Sequence, residues 1–191
     1  MKGLESVWII IPARKGSKGF PHKNRLLFEY TAKQIPESLR HRTIVTTDDE
    51  QIIKQATSYE FKTLRRSPGL CTDDTSMKLV IKDAVEKYYI PSEDDVITLY
   101  LTYPQRTMEQ IQKIYNFYLE AGTSSLLCNK DVKSHPYMCY YSLEGFKGTK
   151  IIEHDLYRRQ EYPKCFEACH YVTIAKPNIL SELDNNLYFE D

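Results

Sequence analysis

Four cationic side chains, Arg14, Lys15, Lys18 and Lys23, fall within ten residues of one another in the segment Ile11-Pro12-Ala13-Arg14-Lys15-Gly16-Ser17-Lys18-Gly19-Phe20-Pro21-His22-Lys23-Asn24. That spacing suits the binding of a polyphosphate. Gly16 and Gly19 allow backbone conformations that other residues resist, which opens peptide N–H groups to anionic oxygens, while Arg14 can grip two such oxygens at once. Lys18 and Lys23 would neutralise charge nearby. On charge count alone a solvated basic loop is the favoured explanation of the segment, because charge runs usually face water. The order of residues is neither the GxxxxGK[ST] phosphate loop nor the GxGxxG dinucleotide fingerprint, which argues against a P-loop NTPase or a Rossmann dehydrogenase.

Other chemistry is harder to find. None of the five histidines (His22, His41, His135, His154 and His170) sits in a triad signature. The five cysteines lack close CxxC pairs, so a disulfide framework is not expected and reduced thiols are. The stretch Cys165-Phe166-Glu167-Ala168-Cys169-His170 falls short of the four ligands of a structural zinc site and reads better as a strand edge. Lys plus Arg (26) balances Asp plus Glu (26), so the molecule as a whole has no net attraction to nucleic acid or to an anionic membrane. The longest apolar run, residues 7–11, is far short of the ~20 residues of a membrane span, and a soluble, cytoplasmic protein is expected.

The basic loop needs a scaffold, and alternating strands and helices supply one. Val7-Trp8-Ile9-Ile10-Ile11 is a continuous apolar run that stops at Pro12, the pattern of a strand buried on both faces of a parallel sheet. Thr43-Ile44-Val45-Thr46-Thr47 predicts a second strand, and Asp48-Asp49-Glu50 then cap a helix running to Ser58. A short strand is expected over 61–64 and a helix over 77–89, with apolar residues at helical spacing and Pro91 as its stop. A strand over 95–101, a helix over 108–120 ended by Gly122, and extended structure over 125–128 complete the alternation. Ligands of such a sheet usually sit beyond the carboxyl ends of its strands, which selects the loops after Ile11, Thr47 and Leu101. From His135 onward the pattern is irregular and tyrosine-rich, so residues 135–170 are expected to form a subdomain or subunit contact within a single 191-residue domain.

The first segment closely resembles the amino-terminal signature of the CMP-sugar synthetases, the cytidylyltransferases of N-acylneuraminic and related nonulosonic acids: I-P-A-R-x-G-S-K-G-x-P-x-K-N, with every fixed position present. Thr46-Thr47-Asp48-Asp49-Glu50 is similar to the family's S-T-D-D-E turn, and residues 66–76 resemble its R-P-x-x-L-x-x-D segment. Residues 102–107 are similar to T-S-P-L-R-T, and Arg158-Arg159-Gln160-Glu161-Tyr162-Pro163-Lys164 resembles R-R-Q-D-L-P-K. The resemblance implies a three-layer α/β nucleotidyltransferase fold, of the nucleotide-diphospho-sugar transferase type, with a mostly parallel central sheet. It implies a homodimer that joins CMP from CTP to an acidic sugar and releases pyrophosphate, with Mg²⁺ as cofactor. Arg14, Lys18 and Lys23 would carry the catalytic charge, and Ala13, Gly16, Ser17 and Asn24 would hold the nucleotide with Arg14 and Lys18. Arg66, Asp73 and Ser76 would line its cytidine side. Tyr100, Arg106, Arg158 and Arg159 would face the sugar.

The chain departs from the family pattern in three places. Residues 25–40 are compressed where relatives carry a full helix, and Tyr100-Leu101-Thr102-Tyr103-Pro104 replaces Q-P-T-S-P and its sugar-reaching glutamine. No D-x-D pair for Mg²⁺ is evident before Asp191, so the metal ligands stay open, Asp48 being one candidate. A nucleotide-binding protein of the same fold without turnover is the alternative expectation.

Overall fold

The computed structural model describes residues 3–16, 19–145 and 147–187. The chain forms two compact units: a larger one from its beginning to Cys128 and again from His170, and a smaller one, Asn129–Cys169. The larger unit is organised on β1 (Val7–Pro12), β2 (Thr43–Thr47), β3 (Lys62–Arg65) and β4 (Asp95–Thr98), which are mutually parallel where they pair. β5 (Ser125–Asp131) and β8 (Phe166–Ala175) complete a six-stranded sheet of order β3-β2-β1-β4-β8-β5, with β8 antiparallel to β4. The helices are α1 (Lys23–Ala32), α2 (Glu37–Arg40), α3 (Glu50–Ser58), α4 (Met77–Lys87) and α5 (Met108–Ala121).

The apolar run of β1 explains the layering. Successive strand residues point to opposite faces, so Val7, Ile9 and Ile11 pack into one core with Phe28, Leu39, Ile52, Ile111 and Tyr115. Ile10, Ile44 and Val96 pack into another with Ile81 and Ala84 of α4 and with Leu180, Leu183 and Leu187. Helices therefore cover both faces of a mostly parallel sheet, which is the three-layer α/β arrangement.

Local chemistry sets the helix ends. Asp49 caps α3 by accepting from Gln51 N–H at 2.9 Å, and Ser76 caps α4 by accepting from Leu79 N–H at 3.3 Å. Thr107 and Gln110 form a capping box at the start of α5, and Gly122 ends it with φ 64°, in the left-handed region open to glycine.

Three elements differ from the sequence reading. A ten-residue helix, α1, takes in the first half of the stretch, residues 25–40, expected to be compressed. Its apolar residues Leu26, Leu27 and Phe28 are consecutive rather than helically spaced, and burial of Phe28 and Ala32 in the sheet core makes it helical. β4 ends at Thr98 instead of residue 101, although Leu99 N–H still donates to Ile10 C=O at 3.0 Å. The longest strand, β8, begins in the stretch read as a strand edge, residues 165–170, and runs on to Ala175, its extent fixed by tertiary pairing with β4.

In the smaller unit, β6 (Tyr140–Leu143) and β7 (Lys147–Lys150) form an antiparallel hairpin. Beside it His135, Tyr137, His154 and Tyr162 make a ring cluster, Tyr137 and His154 stacking with centroids 4.4 Å apart. Tyr140, Tyr141 and Leu143 remain exposed. Among the described residues, no helix is long and apolar enough to cross a membrane.

Candidate nucleotide site

The order β3-β2-β1-β4 locates the site before any side chain is considered. The chain runs outward from β1 through β2 to β3 and then returns to place β4 on β1's other side, so the strand order reverses between β1 and β4. Loops leaving two such strands diverge and leave a crevice at the strands' carboxyl ends. An open cleft of about 360 Å³ lies there, lined by Pro12 and Arg14 after β1, Lys23 and Asn24 of α1, and Tyr100 and Thr102 after β4.

A hydrogen-bond frame holds the loop after β1. Ala13 N–H donates to Thr46 C=O at 3.0 Å and Ala13 C=O accepts from Thr47 Oγ1 at 2.6 Å, tying the loop's first residue to β2. Lys15 N–H donates to Asp48 Oδ1 at 2.6 Å, and Asn24 Nδ2 donates to Arg14 C=O at 2.8 Å. Gly16 has φ 83°, a conformation strained for any residue with a Cβ, so a glycine is required at this turn. Arg25 Nε meets Asp49 Oδ2 at 2.7 Å and fastens α1 to the start of α3.

Two features make this frame receptive to anions. α1 begins after His22 in the left-handed region (φ 57°); Lys23 N–H donates to Phe20 C=O at 3.2 Å, and the first turn has no side-chain cap and no acidic residue, so its positive dipole end is not neutralised by the helix's own side chains. The Arg14 guanidinium is aimed but not buried: it donates to Cys71 C=O at 3.2 Å and to Asp73 Oδ1 at 2.5 Å, with both side chains part-exposed. A pair in that setting is worth ~0–1 kcal/mol, little enough for a polyphosphate to replace the carboxylate.

Arg66 stands behind this pair and is 6 % exposed. Its Nε donates to Thr46 Oγ1 at 3.1 Å, and its N–H donates to Thr47 C=O at 3.0 Å. Burial pushes its pKa down, while Cys71 and Asp48 push back. Its Nη2 is buried and, among the described residues, has no acceptor. A buried donor left without an acceptor costs about 1–3 kcal/mol, so the position suits a ligand oxygen.

The fold thus brings Ala13, Arg14, Gly16, Lys23, Asn24 and Tyr100 to one cleft or its framing loop, with Asp73 tied to Arg14 and Arg66 behind them. Ser17 and Lys18 lie outside the described residues. The Ser76 hydroxyl is engaged as the α4 cap. Arg106 is 3 % exposed and donates to the carbonyls of Tyr171 and Tyr100, the latter at 3.1 Å. Burial pushes its pKa down to about 10, with Tyr171 and Tyr103 acting in the opposite direction. Arg158 and Arg159 are exposed in the smaller unit, at the short turn Arg159–Glu161. Sequence reasoning missed Thr47 as the tie between loop and strand, and beyond excluding a triad it gave His170, whose ring packs on Tyr100, no role. The polar ending of β2 was the available signal for Thr47; no local signal marks His170.

For Mg²⁺, no cluster of three His, Cys, Asp or Glu side chains able to hold a metal occurs among the described residues. Mg²⁺ commonly uses one or two carboxylates and completes its shell with phosphates and water, and Asp48 beside the loop is of that chemistry.

The fold agrees with comparisons to known proteins. The family model described as cytidylyltransferase matches residues 8–164. A pseudaminic acid cytidylyltransferase of Campylobacter jejuni is 30% identical over 168 residues, covering 82% of this chain and 72% of the relative. An N-acylneuraminate cytidylyltransferase of Streptococcus agalactiae is 26% identical over 162 residues, covering 80% of this chain but 39% of that longer protein. A solved CMP:2-keto-3-deoxy-manno-octonic acid synthetase complexed with CTP shares the fold, with a TM-score of 0.61 at 16% identity over 92% of this chain and 76% of that one. With a matched family model from β1 into the smaller unit and a relative of that identity and coverage, the chain belongs to the cytidylyltransferase family, among the CMP-nonulosonic acid synthetases.

Proposed function

We propose that the protein transfers CMP from CTP to the anomeric hydroxyl of an acidic nine-carbon sugar of the sialic-acid type. One observation carries the reading: a glycine-turned cationic loop and a helix N-terminus without a side-chain cap meet in an open cleft at the sheet's switch point, which Arg14 lines while paired with Asp73. The sugar's anomeric oxygen attacks the α-phosphorus of CTP and forms a new P–O bond. The bond from that phosphorus to the bridging oxygen of the β-phosphate breaks, pyrophosphate leaves with the electron pair, and the hydroxyl proton passes to solvent. Transfer at phosphorus is accelerated mainly by alignment and by stabilising charge on oxygen, so no covalent protein nucleophile is needed.

The residues divide the work. Arg14, Lys18 and Lys23 carry positive charge to the triphosphate, and the amides around Gly16 and at the start of α1 donate to its oxygens. Arg66 offers its buried N–H to the cytidine side, near Asp73. Asp48 is the carboxylate that would help hold Mg²⁺, which when bound would supply neutralisation of phosphate charge. Tyr100 faces the acceptor in the larger unit; in the smaller unit, the exposed forks of Arg158 and Arg159 are of the chemistry that suits a carboxylate. The exposed Tyr140, Tyr141 and Leu143 of the smaller unit support a homodimer through that face.

Pyrophosphate release tests the reading, with CTP, Mg²⁺ and a panel of N-acetylneuraminic acid, pseudaminic acid and 2-keto-3-deoxy-manno-octonic acid. Release that depends on one of these acids is expected. CTP binding by calorimetry with no release across the panel would instead identify a nucleotide-binding protein of this fold.

A further inference from the structure

Both terminal nitrogens of the Arg14 fork are occupied by the chain itself. Nη1 donates to Cys71 C=O at 3.2 Å and Nη2 donates to Asp73 Oδ1 at 2.5 Å, so residues 71–73 fill the positions that two phosphate oxygens would take. A carboxylate offers an arginine the same kind of anionic oxygens as a phosphate, which makes Asp73 a stand-in for the ligand.

The segment is built to present that carboxylate. Before it, a tight turn closes with Leu70 N–H donating to Ser67 C=O at 2.9 Å and Cys71 N–H donating to Pro68 C=O at 3.1 Å. Across it, Thr75 Oγ1 donates to Gly69 C=O at 3.2 Å and accepts from Thr72 Oγ1 at 2.8 Å, so two threonines clasp the turn that carries Asp73. After it, Ser76 caps α4, and Met77 N–H donates to Asn185 C=O at 3.2 Å. Thr72, Asp73 and Asp74 are exposed between these fixed ends, and the buried residues of α4 begin only at Val80. The turn can therefore leave Arg14 without opening the core. A part-exposed ion pair biases an equilibrium only a few-fold, which suits a contact that gives way to a ligand.

We infer that Asp73 is an internal anion that occupies Arg14 in the empty protein and is exchanged for a phosphate group when nucleotide binds, so the turn at residues 71–76 is a self-inhibitory latch on the site. The latch lowers the apparent affinity of any ligand that reaches Arg14 through phosphate, in proportion to the fraction of molecules in which the pair is closed. For the identity of that ligand it rests on the nucleotide-binding reading above. It gives Asp73 the opposite sign from a binding residue: removing the carboxylate tightens the ligand.

Titration calorimetry with CTP and, separately, with inorganic triphosphate tests the latch, and circular dichroism confirms that each variant is folded. Asp73→Asn should tighten both ligands about two- to fivefold, the range of one part-exposed ion pair. Asp74→Asn removes the same charge from the next residue and should give only a minor part of that gain, because charge not in contact is screened by water and salt. In an Arg14→Ala background the gain from Asp73→Asn should largely vanish, since the carboxylate then has no guanidinium to occupy. Asp73→Ala gives the same reading if the asparagine variant misfolds. Affinities unchanged or weakened by Asp73→Asn, a gain that Asp74→Asn matches, or a gain undiminished without Arg14 overturns the latch, while CTP binding by the wild type leaves the nucleotide reading standing. Inorganic triphosphate that binds, and binds tighter to Asp73→Asn, while CTP is ignored sinks the nucleotide reading and keeps the latch. Folded protein that binds neither ligand, with or without Asp73, sinks both.

Discussion

At the scale of single residues, the contrast between Arg14 and Arg106 separates binding from scaffolding. Both are arginines near the cleft, yet Arg106 is buried with its donors directed at two backbone carbonyls, whereas Arg14 is part-exposed and paired with one part-exposed carboxylate. Arg14→Ala should therefore weaken CTP binding by more than ~1 kcal/mol, about fivefold or more, with little effect on stability. Titration calorimetry against chemical denaturation measures both sides of that statement. Arg106→Ala should do the reverse in part: it leaves the Tyr171 and Tyr100 carbonyls without their donor and should cost about 2–4 kcal/mol of stability, read as a shift in urea midpoint.

At the scale of elements, α3 and β4 carry stability that can be tuned apart from the site. Burial alone would raise the Asp49 pKa, but the Arg25 guanidinium and the Gln51 N–H overcome it and hold the carboxyl below its usual value. A depressed folded-state pKa means the stabilisation is present above the unfolded value of ~3.9 and is lost as pH falls through the folded one. Asp49→Asn should flatten the acid limb of the stability profile below about pH 4 while keeping a cap at α3, as thermal melts across pH would show. At the opposite end of β4 from the cleft, Tyr115 and Tyr118 each donate to the buried Asp95 carboxylate at 2.8 Å. Tyr118→Phe should cost about 1–3 kcal/mol in urea unfolding and leave CTP affinity unchanged, because the lost donor lies away from the nucleotide.

At the scale of the whole molecule, what could be read from the sequence follows from how local its causes are. β1 was legible because five consecutive apolar residues before a proline have few other uses, and the site loop because its glycines and cations follow that strand directly. α5 was legible through its Gly122 stop, a signal that acts within its own turn, whereas the Thr107–Gln110 capping box that opens it is seen only in the structure. β8 was legible only at its start, as the strand edge of residues 165–170; its full extent is set by pairing with β4, which joins residues more than seventy positions apart. α1 was hidden for a similar reason: its helical state depends on burying Phe28 against Tyr59 and Phe61 of distant elements. Within the site, the Ala13 to Thr47 tie, the Arg14 to Asp73 pair and the contact of Tyr100 with His170 all cross the fold, and no spacing along the chain announces them.

The account stands on the β1 loop and the start of α1 receiving the triphosphate of CTP. Amide-resolved NMR of the folded protein during a CTP titration tests that location most directly. The account predicts that the amides of Gly16, Gly19, Lys23 and Asn24 shift saturably, with smaller changes at Arg66. Saturable shifts confined to another part of the fold, or none at millimolar CTP, would contradict it.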